Sequence, residues 1–145
     1  MTAKEYLLKI QTYKKAMLRT EQTIDALYAT AGGLKGITYD RDRVQTSPEN
    51  HMEVAFARID EERKKLADQS VRYAEAVRVR LDRITQLDNP AYSEVLSLRY
   101  IDLDRGGRLK TFEKIGRKMG YSEKQVRRLH GYALEAFRKK YHFKR

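Results

Sequence analysis

Apolar and small side chains recur at alternating steps of four and three along the first thirty residues of the chain. These positions are Tyr6, Ile10, Tyr13, Met17, Thr20, Ile24, Leu27 and Ala31. Because helical side chains three and four residues apart share a face, this heptad spacing predicts one long helix from residue 2 to about residue 30. A helix of this kind needs a partner that covers its apolar stripe.

The same spacing returns after an interruption and predicts a second long helix. Its positions are Met52, Phe56, Ile59, Arg63, Leu66, Ser70, Tyr73 and Val77, followed by a slip to Leu81 and Ile84. Ser47 and Pro48 are residue types of an N-cap and a first helical position, and the pattern ends at about Leu87. Glycines and mixed charges predict an irregular connection over residues 32–47. An antiparallel, coiled-coil-like hairpin is the simplest arrangement, and pairing with a second copy as a homodimer stays open.

The hairpin pattern stops at Asp88, Asn89 and Pro90. Asn89 is a preferred N-cap residue and proline is favoured at the first helical position, so a new helix is predicted to begin here. We therefore predict an all-α protein with a helical hairpin over residues 1–88 and a second domain over residues 89–145.

Two amphipathic patterns in the second domain predict a helix-turn-helix. Thr111 is placed as the N-cap of the first helix, and Gly116 leaves room for another helix to cross closely. After a turn at residues 119–121, Ser122 and Gln125 have the spacing of a capping box. The apolar positions of the two helices are Phe112, Ile115, Met119, Val126, Leu129, Ala133, Ala136 and Phe137. The helix at the start of this domain would pack behind them as a third support.

With those residues inward, the charged start of the second helix must face outward, as a recognition helix does in the major groove. The residues predicted to read bases are Glu123, Lys124, Arg127 and Arg128. The residues predicted to hold the DNA backbone are Lys110, Thr111, Arg117, Lys118 and Ser122. His130 is predicted at the helix surface, within reach of phosphate when protonated. The mid-helix Gly131 is either a tolerated glycine or a point where another backbone approaches closely, which would be the helix that begins at Pro90 or a DNA strand. Packing against the helix is the favoured prediction. The alternative is a plain helical bundle with a solvated basic face.

The distribution of charge favours DNA over the plain bundle. The 145 residues carry a formal net charge of +11. Residues 1–89 hold 16 Lys and Arg against 14 Asp and Glu, whereas residues 90–145 hold 15 against 6. A solvated face needs charge but not charge of one sign, so the basic excess favours a polyanionic partner such as double-stranded DNA.

The residues that other function classes require are missing from the pattern. The chain has no cysteine, which excludes disulfides, thiolate metal sites and a cysteine nucleophile. Asp40 and Asp42 lack the further ligands of a calcium loop, and the glycines near them lack the ending of a P-loop. We therefore predict no catalytic residues, no metal and no cofactor.

The sequence has no apolar run long enough to span a bilayer, so a cytoplasmic protein without a membrane partner is expected.

The second domain contains short motifs in a defined order. They are Val95 and Leu96, Leu98 to Tyr100, Thr111 to Gly116, Ser122 to Arg128, and Ala133 with Leu134. In this order they resemble the DNA-reading fourth region of bacterial primary sigma factors. The resemblance implies a helix-turn-helix that reads promoter DNA. Because no part of the chain resembles the sigma regions that melt the promoter, it implies an activator or accessory factor.

A second set of motifs extends over nearly the whole chain. They are Ala3 to Leu7, Arg43 to Pro48, Arg99 and Tyr100, Met119 to Ser122, Leu129 to Gly131, and Ala133 with Leu134. Together they resemble small phage-encoded late-transcription regulators of the ArpU and RinA type. This resemblance implies activation of phage late genes through promoter DNA, with host RNA polymerase as a further partner.

Two other classes remain open from the sequence. The phage terminase small subunit, a DNA-packaging protein, also joins a helix-turn-helix to long oligomerising helices, and there a ring of about eight or more chains is expected. A pure interaction module would bind polymerase through its hairpin and DNA without sequence preference.

Overall fold

The predicted all-α architecture is confirmed over the part of the chain that the structure describes. The computed structural model describes residues 1–34 and 48–145, with side chains for residues 1–31 and 51–145. Its helices are α1 (Ala3–Leu34), α2 (Pro48–Thr85), α3 (Pro90–Leu96), α4 (Phe112–Met119) and α5 (Glu123–Tyr141), with a π-helical segment, Ser97–Ile101, directly after α3. Every helix in the described ranges is too short or too polar to span a lipid bilayer.

The first long helix extends beyond its predicted end. It continues through Gly32 and Gly33 to Leu34, because glycine weakens a helix by only about 1 kcal/mol and does not by itself end one. The rest of the predicted connection, residues 35–47, lies outside the described residues. The paired aspartates and the Ser47 cap considered above therefore lie outside them as well.

The described residues form two compact units. The larger unit contains residues 1–15 and 72–145, and the smaller unit contains residues 16–71. Each long helix contributes one end to each unit. The boundary between residues 88 and 89 remains a prediction about where the DNA-binding part of the chain begins.

In the smaller unit, α1 and α2 run antiparallel. The Thr20 hydroxyl donates to Gln69 Oε1 at 2.7 Å. Tyr28, later in α1, pairs with Arg63, which is earlier in α2. The predicted seam positions that are buried here are Thr20, Ile24, Ala31 and Ile59. Phe56 belongs to the same pattern but is 44% exposed, so the unit does not cover every seam position.

The larger unit has one hydrophobic core formed by all of its helices. Its buried members are Ala3, Leu7, Ile84, Leu87, Val95, Leu96, Tyr100, Ile115, Val126, Ala133 and Phe137. Both α3 and α4 pack against α5, so the support predicted behind the helix-turn-helix is confirmed. Asn89 caps α3 as predicted, its Oδ1 accepting from the Ala91 N–H at 2.9 Å.

The first turns of α1 belong to this core, which the heptad pattern did not indicate. Ala3 and Leu7 are buried among the C-terminal helices. The helix start has reciprocal bonds, with the Thr2 N–H donating to Glu5 Oε2 at 2.7 Å and the Glu5 N–H donating to Thr2 Oγ1 at 3.2 Å. These bonds satisfy donors that a helix N-terminus otherwise leaves open, and they fix where α1 begins.

Candidate nucleic-acid interface

Local sequence determines the crossing of α4 and α5. Thr111 Oγ1 accepts from the Lys114 N–H at 3.2 Å and caps α4, and Gly120, with φ of 77°, ends it in the left-handed region. A Cβ on Gly116 would lie 2.5 Å from the Tyr121 carbonyl oxygen and 3.4 Å from a methyl group of Val126. The predicted role of Gly116 in the close crossing is therefore confirmed.

The start of α5 is fixed by the predicted capping box. Ser122 Oγ accepts from the Gln125 N–H at 3.2 Å, and Gln125 Oε1 accepts from the Ser122 N–H at 2.8 Å. The inward face follows as predicted, with Val126, Ala133 and Phe137 fully buried. This orientation turns the opposite face of the first turns of α5 to solvent.

The four predicted base-reading residues are all exposed at the start of α5. Arg127 donates to Glu123 at 2.7 Å and lies 5.5 Å from the centroid of the Phe112 ring. The side chains of Lys124 and Arg128 have no ion pair or hydrogen bond with any other residue in the described ranges. These two cations are therefore available to a ligand without breaking a contact within the protein.

The residues predicted at the DNA backbone are mostly engaged within the protein. Lys110 Nζ is 2.5 Å from Asp102 Oδ2, and Lys118 Nζ is 3.6 Å from the same oxygen. The hydrogen bond from Lys110, with the charges of both lysines, lowers the pKa of Asp102. Arg117 donates to Glu113 at 2.6 Å. Phosphate contact by these cations requires a change of partner, which is inexpensive for the exposed Arg117 and Lys118. The Lys110 side chain is only 16% exposed, so its release costs more.

Thr111 and Ser122 are exposed, and their hydroxyl oxygens already accept the capping bonds. Each hydroxyl keeps its own hydrogen as a donor. Contact of either side chain with a phosphate oxygen therefore remains compatible with its capping role, and it stays a prediction.

Asp102 is a residue that the sequence analysis did not single out. Its carboxylate lies just after the π-helical segment and accepts from Lys110, eight positions later in the chain. Lys110 Nζ also donates to the Asp102 carbonyl oxygen at 2.8 Å. Helical and strand spacings do not relate residues across such a loop, so the sequence pattern could not predict the contact between Asp102 and Lys110.

The prediction for His130 is wrong. The side chain is only 9% exposed, and its Nε2 lies 2.8 Å from the Tyr100 hydroxyl. Burial, together with the charges of Arg99 and Lys4, lowers the pKa of His130 to about 4. The imidazole is therefore neutral at physiological pH and cannot serve as a cation for phosphate.

Arg99 holds the segment that leads into α4. Its guanidinium lies 4.5 Å from the centroid of the Phe112 ring and donates to the Lys110 carbonyl oxygen. Its Nε is buried without a hydrogen-bond partner among the described residues. The stacked guanidinium thus connects the π-helical segment to the first residue of α4.

The favoured prediction for Gly131, close packing against another helix, is also wrong. A Cβ built on this residue would meet no other atom within 4 Å, and the residue is exposed. No helix of the described chain packs closely there, so internal packing does not account for a glycine at this position.

Comparison with known proteins gives a match for the C-terminal part of the larger unit. Residues 89–139 match the family model for Sigma-70, region 4. No curated protein and no solved structure matches the chain. The matched range contains α3, α4 and nearly all of α5, so this segment is similar to region 4, and the match supports a DNA-binding helix-turn-helix. The narrower resemblance to the ArpU and RinA regulators remains a prediction.

Proposed function

We propose that the protein is a sequence-specific transcription regulator that places α5 in the major groove of duplex DNA. The observation that carries this proposal is the coincidence of the Sigma-70 region 4 match with two unpaired, exposed cations, Lys124 and Arg128, on the outward face of α5. They occupy its first turns, where recognition helices contact base edges.

The chemistry of the exposed side chains suits direct reading of bases. Arg128 can donate two parallel hydrogen bonds to O6 and N7 of guanine, and Lys124 can reach the same acceptors. Glu123 can accept from a cytosine amino group, with Arg127 beside it as a counter-charge. Lys110, Arg117 and Lys118 surround the start of the helix-turn-helix as predicted backbone contacts.

The finer proposal concerns which genes are regulated. From the resemblance to phage regulators, we infer that the protein activates late genes in a bacterial host, and that host RNA polymerase is its protein partner. The match to Sigma-70, region 4 supports contact with RNA polymerase as well as with DNA. A dimer through the long helices would read two half-sites, spaced by a helical turn or a multiple of it.

The test is a selection of DNA fragments by the full-length protein from the genome that encodes it. A few enriched sites upstream of late promoters, with activation in a purified transcription reaction, are the expected result. Enrichment of one packaging site, with a light-scattering mass of about eight or more chains, would replace this proposal with a terminase small subunit. Recovery of all fragments to the same extent would overturn the proposal of sequence-specific regulation.

A further inference from the structure

Gly131 weakens α5 without a structural reason inside the protein. It lies near the middle of a 19-residue helix, where glycine is less favourable than alanine. Neither a close helix crossing nor a positive φ requires it, since its Cβ direction is open and the positive-φ glycines described are Gly107 and Gly120. The reason for a glycine at position 131 therefore lies outside the described residues.

Gly131 shares its helix face with the unpaired cations. It lies three residues after Arg128 and seven after Lys124, spacings that keep side chains on one side of a helix. The inward positions Val126 and Ala133 are on the opposite side. The outward face of α5 therefore continues from two cations to one position without a side chain, Gly131, about 12 Å from the start of the helix.

The acidic residue that follows Gly131 on the helix surface is paired with cations, which reduces its repulsion of an anion. Glu135 is the acidic residue on the next turn, and Arg138 holds it with two bonds, at 2.7 and 2.9 Å. This pairing lowers the pKa of Glu135 to about 2, and Lys139 lies 4.0 Å from the same carboxylate. Tyr132, 63% exposed, follows Gly131 with a hydroxyl able to donate to a phosphate oxygen.

We propose that Gly131 is the point where one sugar–phosphate strand of the bound duplex contacts the main chain of α5. The contact surface then reaches the third turn of the helix, beyond the four predicted base-reading residues. A helix with side chains is about 10–12 Å across and the major groove about 12 Å wide, so one missing side chain decides how closely a strand approaches. This inference rests on the proposed function.

The test compares Gly131→Ala with the wild type in the full-length protein. Alanine restores helix propensity, so the thermal unfolding midpoint is expected to rise. The added Cβ pushes the strand away, and duplex affinity measured by anisotropy is expected to fall roughly 5- to 150-fold, the range that corresponds to ordinary overpacking. A more stable protein that binds DNA less tightly is the signature of this contact.

Two further variants separate the steric effect from stability. Gly131→Ser adds a Cβ with a smaller gain in helix propensity, and its affinity should fall by a similar factor. Thr12→Ala, an exposed position of α1 in the larger unit, raises helix propensity away from the proposed contact and should bind like the wild type.

Unchanged affinity in both Gly131 variants would overturn the inference and leave the proposed function intact. A lower unfolding midpoint for Gly131→Ala would also overturn it, because the residue would then be packed within the protein. Failure of the wild type to bind any duplex would instead overturn the proposed function itself.

Discussion

The position of His130 in the helix predicts its environment better than its residue type does. Its spacing from Val126 and Ala133, four residues before and three after, places it on the inward face of α5. Its chemistry suggested a surface cation. The structure follows the position, with the ring 5.0 Å from that of Phe112 and bonded to Tyr100.

The buried imidazole predicts a loss of stability in mild acid. Its pKa is about 4 in the folded protein against an ordinary 6.5, so the unfolded chain takes up a proton first as the pH falls. Above pH 6.5 the neutral imidazole does not lower the free energy of unfolding. Between pH 6.5 and pH 4 that free energy falls by about 3 kcal/mol in total. Urea unfolding between pH 7 and 5 should show it.

His130→Gln is the matched variant, because its amide can still bond to the Tyr100 hydroxyl without titrating. The decrease in unfolding free energy from pH 7 to pH 5 should be smaller in this variant than in the wild type. An identical pH dependence would show that His130 does not carry the effect.

At the scale of elements, local signals predicted the helices well. The caps at Asn89, Thr111 and Ser122 and the left-handed Gly120 are short-range features, and all appear in the structure. The membership of the first turns of α1 in the larger unit could not be predicted in this way. It depends on contacts such as Arg80 Nε with the Tyr6 carbonyl oxygen at 2.8 Å, between residues far apart in sequence.

That membership predicts that Leu7 stabilises the helix-turn-helix core. The side chain is fully buried with residues of α2, α3, α4 and α5. Leu7→Ala should therefore reduce the free energy of unfolding by about 2–5 kcal/mol, as for other buried leucines. Urea unfolding followed by circular dichroism measures this change.

The control is Leu18→Ala, at a half-buried position of the smaller unit. It should cost less than Leu7→Ala, because less apolar area is lost from contact. Equal, small effects of both variants would show that the start of α1 does not support the larger unit.

At the scale of the molecule, charge distribution carried functional information that periodicity lacked. The net charge of +11 and its excess after residue 89 favoured a polyanion, and the Sigma-70 region 4 match supports DNA. Helical spacing could indicate only part of the ion pairing. The pair of Arg117 with Glu113, four residues before it, follows from spacing, whereas the contacts of Lys110 and Lys118 with Asp102 join residues across a loop and do not.

The central claim is sequence-specific reading of DNA by the start of α5, and competition anisotropy on the selected duplex and a scrambled duplex tests it most directly. Wild-type protein should prefer the selected duplex by about a thousandfold or more. Arg128→Ala should reduce that preference by roughly 1–3 kcal/mol. Arg117→Ala should weaken both duplexes alike and lower the salt slope by about 0.9, and Lys64→Ala, in the smaller unit, should not alter the preference. Equal affinity of the wild type for both duplexes, or no binding at low salt, would contradict the account.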